Sequence, residues 1–299
     1  MREGEEEIRS QPQAIEARFS DGYAVTADGL RLHYRDYPGP SGKPPLLCLH
    51  GLTRNARDFA DFAERYSPAW RVITPDFRGR GSSDYDPLPG RYTPLTYTAD
   101  VLALLDQLMI ERAVFVGTSL GGLVTMTVAA MAPQRIAAAI LNDIGPEMSA
   151  AGLERIGSYV GKGGPFSSWD EAADAVERIS GNAHPNYARE DWLKAARRVC
   201  REDGGRILLD YDPAIAVPFQ AKGPAPRVDL WPLLSALGQK PLLVVRGELS
   251  DLLSAAALEQ MHEAVPAMKS VTVPGVGHAP MLDEPEAVAA IDEFLGSLE

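Results

Sequence analysis

Three side chains in this sequence have the types and settings of a nucleophile, a base and an orienting acid. Ser119 stands at the centre of Gly117-Thr118-Ser119-Leu120-Gly121. Ahead of it, Ala113-Val114-Phe115-Val116 reads as a short buried strand. After it, Leu120 to Ala132, with Leu123, Val124, Met126, Val128 and Met131, reads as a buried helix. Gly-x-Ser-x-Gly at a strand-to-helix junction is a nucleophile elbow. Small residues permit a sharp turn that lifts the hydroxyl clear of the sheet edge and aims the following N–H at the substrate. The alternative is a glycine-rich strand end with Ser119 as an ordinary helix N-cap.

A serine hydroxyl is a weak nucleophile near neutral pH, so it needs a base, and the base needs an orienting group. Of the five histidines, His278 lies in Pro274-Gly275-Val276-Gly277-His278-Ala279-Pro280, directly after the last expected strand. Its glycines let the loop reach across the sheet end. His50, also after a strand, is expected to shape a loop. His33 belongs to a hairpin strand near the surface, His184 to a turn, and His262 to a solvated helix end. For the acid, Asp251 in Gly247-Glu248-Leu249-Ser250-Asp251 is the first choice, just past a strand end. Asp143, in Asn142-Asp143-Ile144-Gly145, and Glu248 are the alternatives. Asp143 reads better as a carboxylate accepting backbone N–H groups at a turn. Acyl transfer also needs donors for the oxyanion. The N–H of Leu120 follows the nucleophile, and the N–H of Leu52, in the turn His50-Gly51-Leu52, is expected to supply the second.

The elements that must hold these groups alternate along the chain. Tyr23–Thr26 and Leu30–Tyr37 flank Asp28-Gly29, a two-residue hairpin signal. Short apolar strands are expected at 46–49, 71–74, 114–117, 136–141, 242–246 and 270–273, separated by helix-like stretches such as 99–108. This is the pattern of a mostly parallel sheet with helices on both faces. Between Asp143 and Lys240 the pattern turns helical and loop-rich, with no strong strand. Helices are expected at 151–160, 168–179 and 187–200, with a last one at 228–237. Gly161–Pro165 and Lys222–Pro226 look like joints. We therefore divide the chain into an acidic tail (1–18), an α/β core (19–144 and 238–299) and a helical insert (145–237). Such an insert lies over the carboxyl ends of the strands, where open α/β sheets bind ligands.

The chain has 299 residues and a net charge of −12. That balance disfavours nucleic acid and anionic membranes as partners. No apolar run is long enough to span a bilayer. The N-terminal stretch has no apolar segment of the secretory kind, so a cytoplasmic location is expected. Cys48 and Cys200 are read as buried free thiols. No Cys/His cluster or His-Glu-x-x-His suggests a metal, and no Gly-x-Gly-x-x-Gly suggests a nucleotide. Catalysis is expected to need no cofactor. Arg54, just after the oxyanion turn, is placed to pair with a substrate carboxylate, or else is a solvated helix-start residue. Tyr159, Phe166, Trp169, Trp192, Phe219 and Trp231 of the insert, with Met281 beyond His278, either wall an apolar pocket or pack the insert on the core.

Taken together, these residues resemble the α/β-hydrolase superfamily, in its serine-nucleophile branch with a helical cap. The resemblance rests on His50-Gly51-Leu52, Asp76-Phe77-Arg78-Gly79-Arg80-Gly81-Ser82-Ser83, Gly117–Gly122, Asp251 and Gly277-His278, and covers about residues 20 to 298. The order nucleophile, acid, histidine is the family's. The resemblance implies the α/β-hydrolase fold and a mainly structural role for Asp76, Arg78, Gly79, Gly81 and Ser82. It also implies a carboxylic ester hydrolase, esterase- or lactonase-like, acting on a small-molecule ester or lactone. C–C bond hydrolases of ring-cleavage products and cofactor-free perhydrolases share the outline. A ligand-binding receptor on the same scaffold is the alternative outside enzymes. The triad does not separate the substrates, and the oligomeric state has no signal in the sequence.

Overall fold

The computed structural model describes residues 18–220 and 228–298. The acidic tail, apart from Arg18, and the Pro-rich joint at 222–226 lie outside the described residues. The chain opens with strands β1 (Ser20–Val25) and β2 (Arg31–Tyr37), which pair antiparallel. Gly29, at φ +89°, closes the turn between them, and Thr26 N–H bonds the Leu30 carbonyl at 2.9 Å. Strands β3 (Leu46–Leu49), β4 (Val72–Pro75), β5 (Ala113–Thr118) and β6 (Ile136–Asn142) follow. Between them run helices α1 (Ala60–Tyr66), α2 (Pro94–Gln107) and α3 (Leu120–Met131).

Beyond β6 come helices α4 (Ala150–Tyr159), α5 (Trp169–Ser180) and α6 (Arg189–Val199). A hairpin of β7 (Cys200–Asp203) and β8 (Arg206–Leu209) follows, then α7 (Val217–Gln220) and α8 (Trp231–Leu237). Strand β9 (Leu242–Gly247), α9 (Ala255–Ala264), β10 (Lys269–Val273) and α10 (Pro285–Gly296) complete the chain. Eight strands form one sheet in the order β1-β2-β4-β3-β5-β6-β9-β10. From β4 onward every neighbour in that order is parallel. This is the α/β-hydrolase fold expected from the resemblance.

The central strands read as unbroken apolar runs because both faces are covered. In β3, Leu47 and Leu49 enter the core on one face while Leu46 and Cys48 enter the core on the other. Cys48 and Cys200 are free and buried. No helix among the described residues is long and apolar enough to cross a membrane.

The stretch between the adjacent strands β6 and β9 holds one feature the sequence reading did not anticipate, the β7–β8 hairpin. Its turn, Gly204-Gly205, takes φ +56° and +77°, as a two-residue hairpin loop requires. The strands are four residues each; β7 is charged at three of its four positions and β8 offers only Ile207-Leu208-Leu209, shorter than the apolar runs used to find the others. The insert has a small core of its own, with Phe166, Ala173, Val176, Trp192, Ala196 and Ile207 in contact. Arg57 fastens it to the main body by donating to the carbonyls of Arg198 and Cys200 and to the Asp210 carboxylate.

The segment 76–83 braces the sheet end. The Arg78 guanidinium is buried and bonded to Asp28, Asp86 and Asp100. Asp76 accepts the N–H groups of Ala56 and Ser82 and is held by His33 Nδ1 at 2.7 Å. His33 is not near the surface as expected. It is 5% exposed and bridges Asp76 and Asp21.

Candidate active site

Ser119 is the single residue between β5 and α3. It takes φ +52° and ψ −113°, a conformation L residues rarely adopt. Glycines make the turn possible. A Cβ on Gly121 would lie 1.9 Å from the Leu49 carbonyl oxygen, and one on Gly117 would lie 2.6 Å from Gly121 backbone. The Ser119 side chain makes no capping bond to α3. Its Oγ instead lies 3.0 Å from Nε2 of His278. His278 arrives on the loop after β10. That loop is pinned by Gly277 N–H to the Ala183 carbonyl at 2.7 Å and by Asn142 Nδ2 to the Pro280 carbonyl at 2.8 Å.

The carboxylate that meets His278 is Asp143, not Asp251. Asp143 Oδ2 is 2.7 Å from His278 Nδ1 and also accepts the Ser250 hydroxyl at 2.6 Å, while Oδ1 accepts Gly247 N–H at 2.8 Å. A donated Nδ1–H leaves Nε2 as the acceptor facing the serine hydroxyl. Asp143 is the first residue past β6, at φ +54°, a region Asp tolerates better than most residues. The turn contact expected of it, a carboxylate accepting a backbone N–H, is real, but it accompanies the histidine bond instead of excluding it. Asp251 lies four residues past β9, and its carboxylate is forked onto Arg155 of α4. That hydrogen bond holds the Asp251 carboxyl below the usual carboxylate range. Glu248 accepts Gly275 N–H and steadies the His278 loop from outside.

Leu52 and Leu120 both border the cavity beside Ser119. Neither of their N–H groups has an acceptor among the described residues. The Leu52 peptide is held from behind by Arg80, whose Nε donates to the Leu52 carbonyl at 3.0 Å while Nη1 reaches the Arg78 carbonyl and the Tyr97 hydroxyl. The sequence reading gave Arg80 no role. Its signal was a cation in a glycine-rich segment with no acid beside it in sequence. His50 shapes the same turn: its Nδ1 meets the Gly51 carbonyl at 2.7 Å and Phe77 N–H bonds Nε2 at 3.1 Å. Burial pushes its pKa down to about 4.

Two branches leave Ser119. One, of about 270 Å³, is apolar and lined by Leu123, Ile144, Met148, Leu153, Ile156 and Leu252 among others. The other, of about 60 Å³, is lined by Arg54, Asp58, Arg155, Tyr159, Ser180, His278 and Met281 among others. Through Arg54, Ser180 and Met281 it adjoins an outer chamber of about 120 Å³ bordered by His184, Tyr187 and Trp192. Arg54 and Met281 thus stand at the site. Trp231 does not: it opens α8 and packs on the core cluster around α3. Trp169 and Phe166 belong to the insert's own core, and the Phe219 side chain lies outside the described residues. His184 is buried in the turn before α6, stacked on Tyr187 at 4.5 Å between ring centres, and burial lowers its pKa to about 4. His262, on α9, bonds the Ser270 hydroxyl at 2.8 Å, remote from Ser119.

Known proteins share this architecture. The chain is 35% identical over 278 residues to the 3-hydroxybutyrate-oligomer hydrolase of Cupriavidus necator, covering 90% of this chain and 94% of that one. It is 33% identical over 254 residues to the 2-(acetamidomethylene)succinate hydrolase of Mesorhizobium japonicum, covering 84% and 88% respectively. The crystal structure of an alpha/beta hydrolase from Novosphingobium aromaticivorans matches with a TM-score of 0.89 at 52% identity, over 94% of this chain and 99% of that one. The model of the alpha/beta hydrolase family matches residues 46–291, from β3 to within α10, and the chain belongs to that family.

Proposed function

We propose that this hydrolase cleaves a small carboxylic ester through an acyl-enzyme intermediate. The observation that carries the reading is the continuous chain from Ser119 Oγ to His278 at 3.0 Å and from His278 to Asp143 at 2.7 Å, at the mouth of a two-branched cavity. Ser119 attacks the carbonyl carbon as His278 Nε2 takes its proton. The carbonyl oxygen, now negative, is met by the N–H groups of Leu52 and Leu120. The tetrahedral intermediate collapses, the carbon–alkoxide bond breaks, and His278 returns the proton to the leaving alcohol. Water then repeats the sequence on the acyl-serine and releases the acid. Asp143 takes the acid's part assigned to Asp251 from the sequence: it fixes the imidazole tautomer and stabilises the imidazolium.

Two branches favour an open ester over a lactone, because the halves of an open ester part company after cleavage and need separate sites. The 3-hydroxybutyrate-oligomer hydrolase relative acts on short chains whose units are joined as esters, and this supports the same bond type here. The insert closes both branches with residues of α4 and serves as the cap.

The test is active-site labelling with turnover. A fluorophosphonate should modify Ser119 alone. Ser119→Ala should lower p-nitrophenyl butyrate hydrolysis by about 10⁴-fold or more with an unchanged melting temperature. Labelling at another residue, substantial activity in the alanine variant, or a wild type that stops after one turnover overturns the reading.

A further inference from the structure

We propose that the alcohol half of the substrate carries a free carboxylate and that Arg54 binds it in the polar branch. The inference rests on the ester reading above and adds the substrate class and a specificity residue. It begins with proton transfer. The departing alkoxide must take its proton from His278 Nε2, so the alcohol half lies on the His278 side of the carbonyl. His278 borders the polar branch, whereas the apolar branch is bordered by Ser119, Leu120 and Leu123. The acyl half therefore enters the apolar branch and the alcohol half the polar one.

The polar branch is lined by two arginines and one carboxylate, Asp58. The two arginines are Arg54 and Arg155, and they differ in how far their donors are used. Arg155 is committed to Asp251 through a two-point fork that neutralises its charge. Arg54 is not. Its sole partner among the described residues is Asp58, one turn along, at a long 3.4 Å from Nη1. A guanidinium has five N–H donors in a rigid plane matched to carboxylate geometry, so most of this fork is unspent. The side chain is 23% exposed, which leaves it partly screened from water. The branch holds about 60 Å³, room for a short substituent only. The alcohol half that fits is a short hydroxy acid. The reaction is then RCO–O–CHR′–CH₂–COO⁻ plus water giving RCOO⁻, HO–CHR′–CH₂–COO⁻ and one proton. The acyl C–O bond breaks, the new C–O bond comes from water, and no redox partner is required. The outer chamber beyond Arg54 and Met281 gives a longer acid its exit.

The experiment compares kcat/KM for two esters with one acyl group: 3-butyryloxybutanoate and its near-isosteric neutral amide, 3-butyryloxybutanamide. Wild type should prefer the carboxylate by about 10- to 100-fold, the usual effect of a charge-assisted hydrogen bond. Arg54→Gln should bring that ratio towards one, and Arg54→Lys should restore part of it. A ratio within one enzyme is unaffected by partial misfolding of a variant. Placing the charge on the acyl half, as in monoethyl succinate against ethyl butyrate, should reverse the preference. A wild-type ratio near one, a ratio unchanged in Arg54→Gln, or a preference for the acyl-half acid overturns the proposal while leaving ester hydrolysis intact. No turnover of any ester, with Ser119 unlabelled by fluorophosphonate, overturns the ester reading itself and this inference with it.

Discussion

The ends of two neighbouring strands, β6 and β9, each deliver an aspartate to the surroundings of His278. At the β6 end, Asp143 follows the strand without a spacer, has a side chain 0% exposed, and accepts three hydrogen bonds from groups fixed by the sheet and the next loop. At the β9 end, Asp251 sits on a longer loop with its side chain 37% exposed, and its partner, Arg155, belongs to the insert. An orienting acid must keep one geometry while the histidine gains and loses a proton, and only the first of these carboxylates is held by groups that do not move with the insert. The second is placed to dock the insert. Beside the Arg155 fork, the Ser149 hydroxyl donates to the Asp251 carbonyl, so its side chain meets the middle of α4 and its backbone the N-cap. Proximity to a strand end thus does not by itself bring a carboxylate to the histidine; Asp143 is set apart by the number and rigidity of the donors around it.

The sharpest way to break this comparison is to exchange the two charges for amides. Asp143→Asn should lower kcat by about 10³- to 10⁴-fold, because the amide favours the wrong imidazole tautomer. Asp251→Asn should leave kcat within about tenfold, since it removes a half-exposed ion pair and not the histidine's partner. Steady-state kinetics on p-nitrophenyl butyrate decide it, and the opposite ranking would transfer the acid's role to Asp251.

A second contrast sets buried groups of the core against those of the insert through pH. His50, under the oxyanion turn, and His184, in the insert, both have pKa values lowered to about 4 by burial. Each is neutral when folded and gains a proton when unfolded below about 6.5. The stability they contribute is therefore complete above pH 6.5 and declines as pH falls towards 4. At pH 5 the His184 share of that loss amounts to about 2 kcal/mol. His33 runs the other way. Burial lowers its pKa, but the bonds to Asp76 and Asp21 outweigh this and raise it, so its contribution is complete at low pH and fades as pH rises through the folded value. Urea unfolding at pH 7 and pH 5 should show a smaller acid loss in His184→Gln than in wild type. Equal losses would mean that the insert's histidine is hydrated.

The smallest effect concerns the docking pair. Arg155→Gln should cost at most about 1 kcal/mol at pH 7, because both partners are partly in solvent. Arg155 lowers the Asp251 pKa, so this stabilisation is present above the unfolded carboxylate value and is lost as pH falls below it. Thermal melts should thus differ between wild type and variant more at pH 7 than at pH 3, since the contribution fades as pH falls from the unfolded carboxylate value through the lower folded one. A loss several times larger at pH 7 would make the pair a structural keystone and blur the contrast with Asp143.

Ser119, His278 and the family were legible in the sequence because each is announced locally. A Gly-x-Ser-x-Gly between a strand and a helix, and a glycine-rich loop after the last strand, are patterns of nearest neighbours along the chain. The parallel sheet was legible for the same reason, as apolar runs of strand length separated by helical periods. The β7–β8 hairpin was missed because β7 is charged, β8 has only three apolar residues in a row, and the turn signal, Gly204-Gly205, sat inside a segment with helical neighbours. The place of Trp231 was misjudged because an aromatic side chain looks alike whether it faces a cavity or a core.

Which carboxylate meets the histidine is a different kind of question. Both Asp143 and Asp251 follow strands, both lie between the serine and the histidine in sequence, and nothing local ranks the shorter loop above the longer. The answer comes from strand order. Because β6 lies between β5 and β9, a residue directly past β6 stands between the elbow and the incoming His278 loop, while Asp251 is carried outward to meet α4. The sequence alone was enough to mark Ser119 and His278 as the proposed nucleophile and base and to give the fold that presents them, since those depend on short-range geometry and hydrophobic period. The carboxylate that meets His278, the two branches of the cavity and the unspent donors of Arg54 emerged from the tertiary structure, since those depend on which distant segments the sheet brings within hydrogen-bond reach.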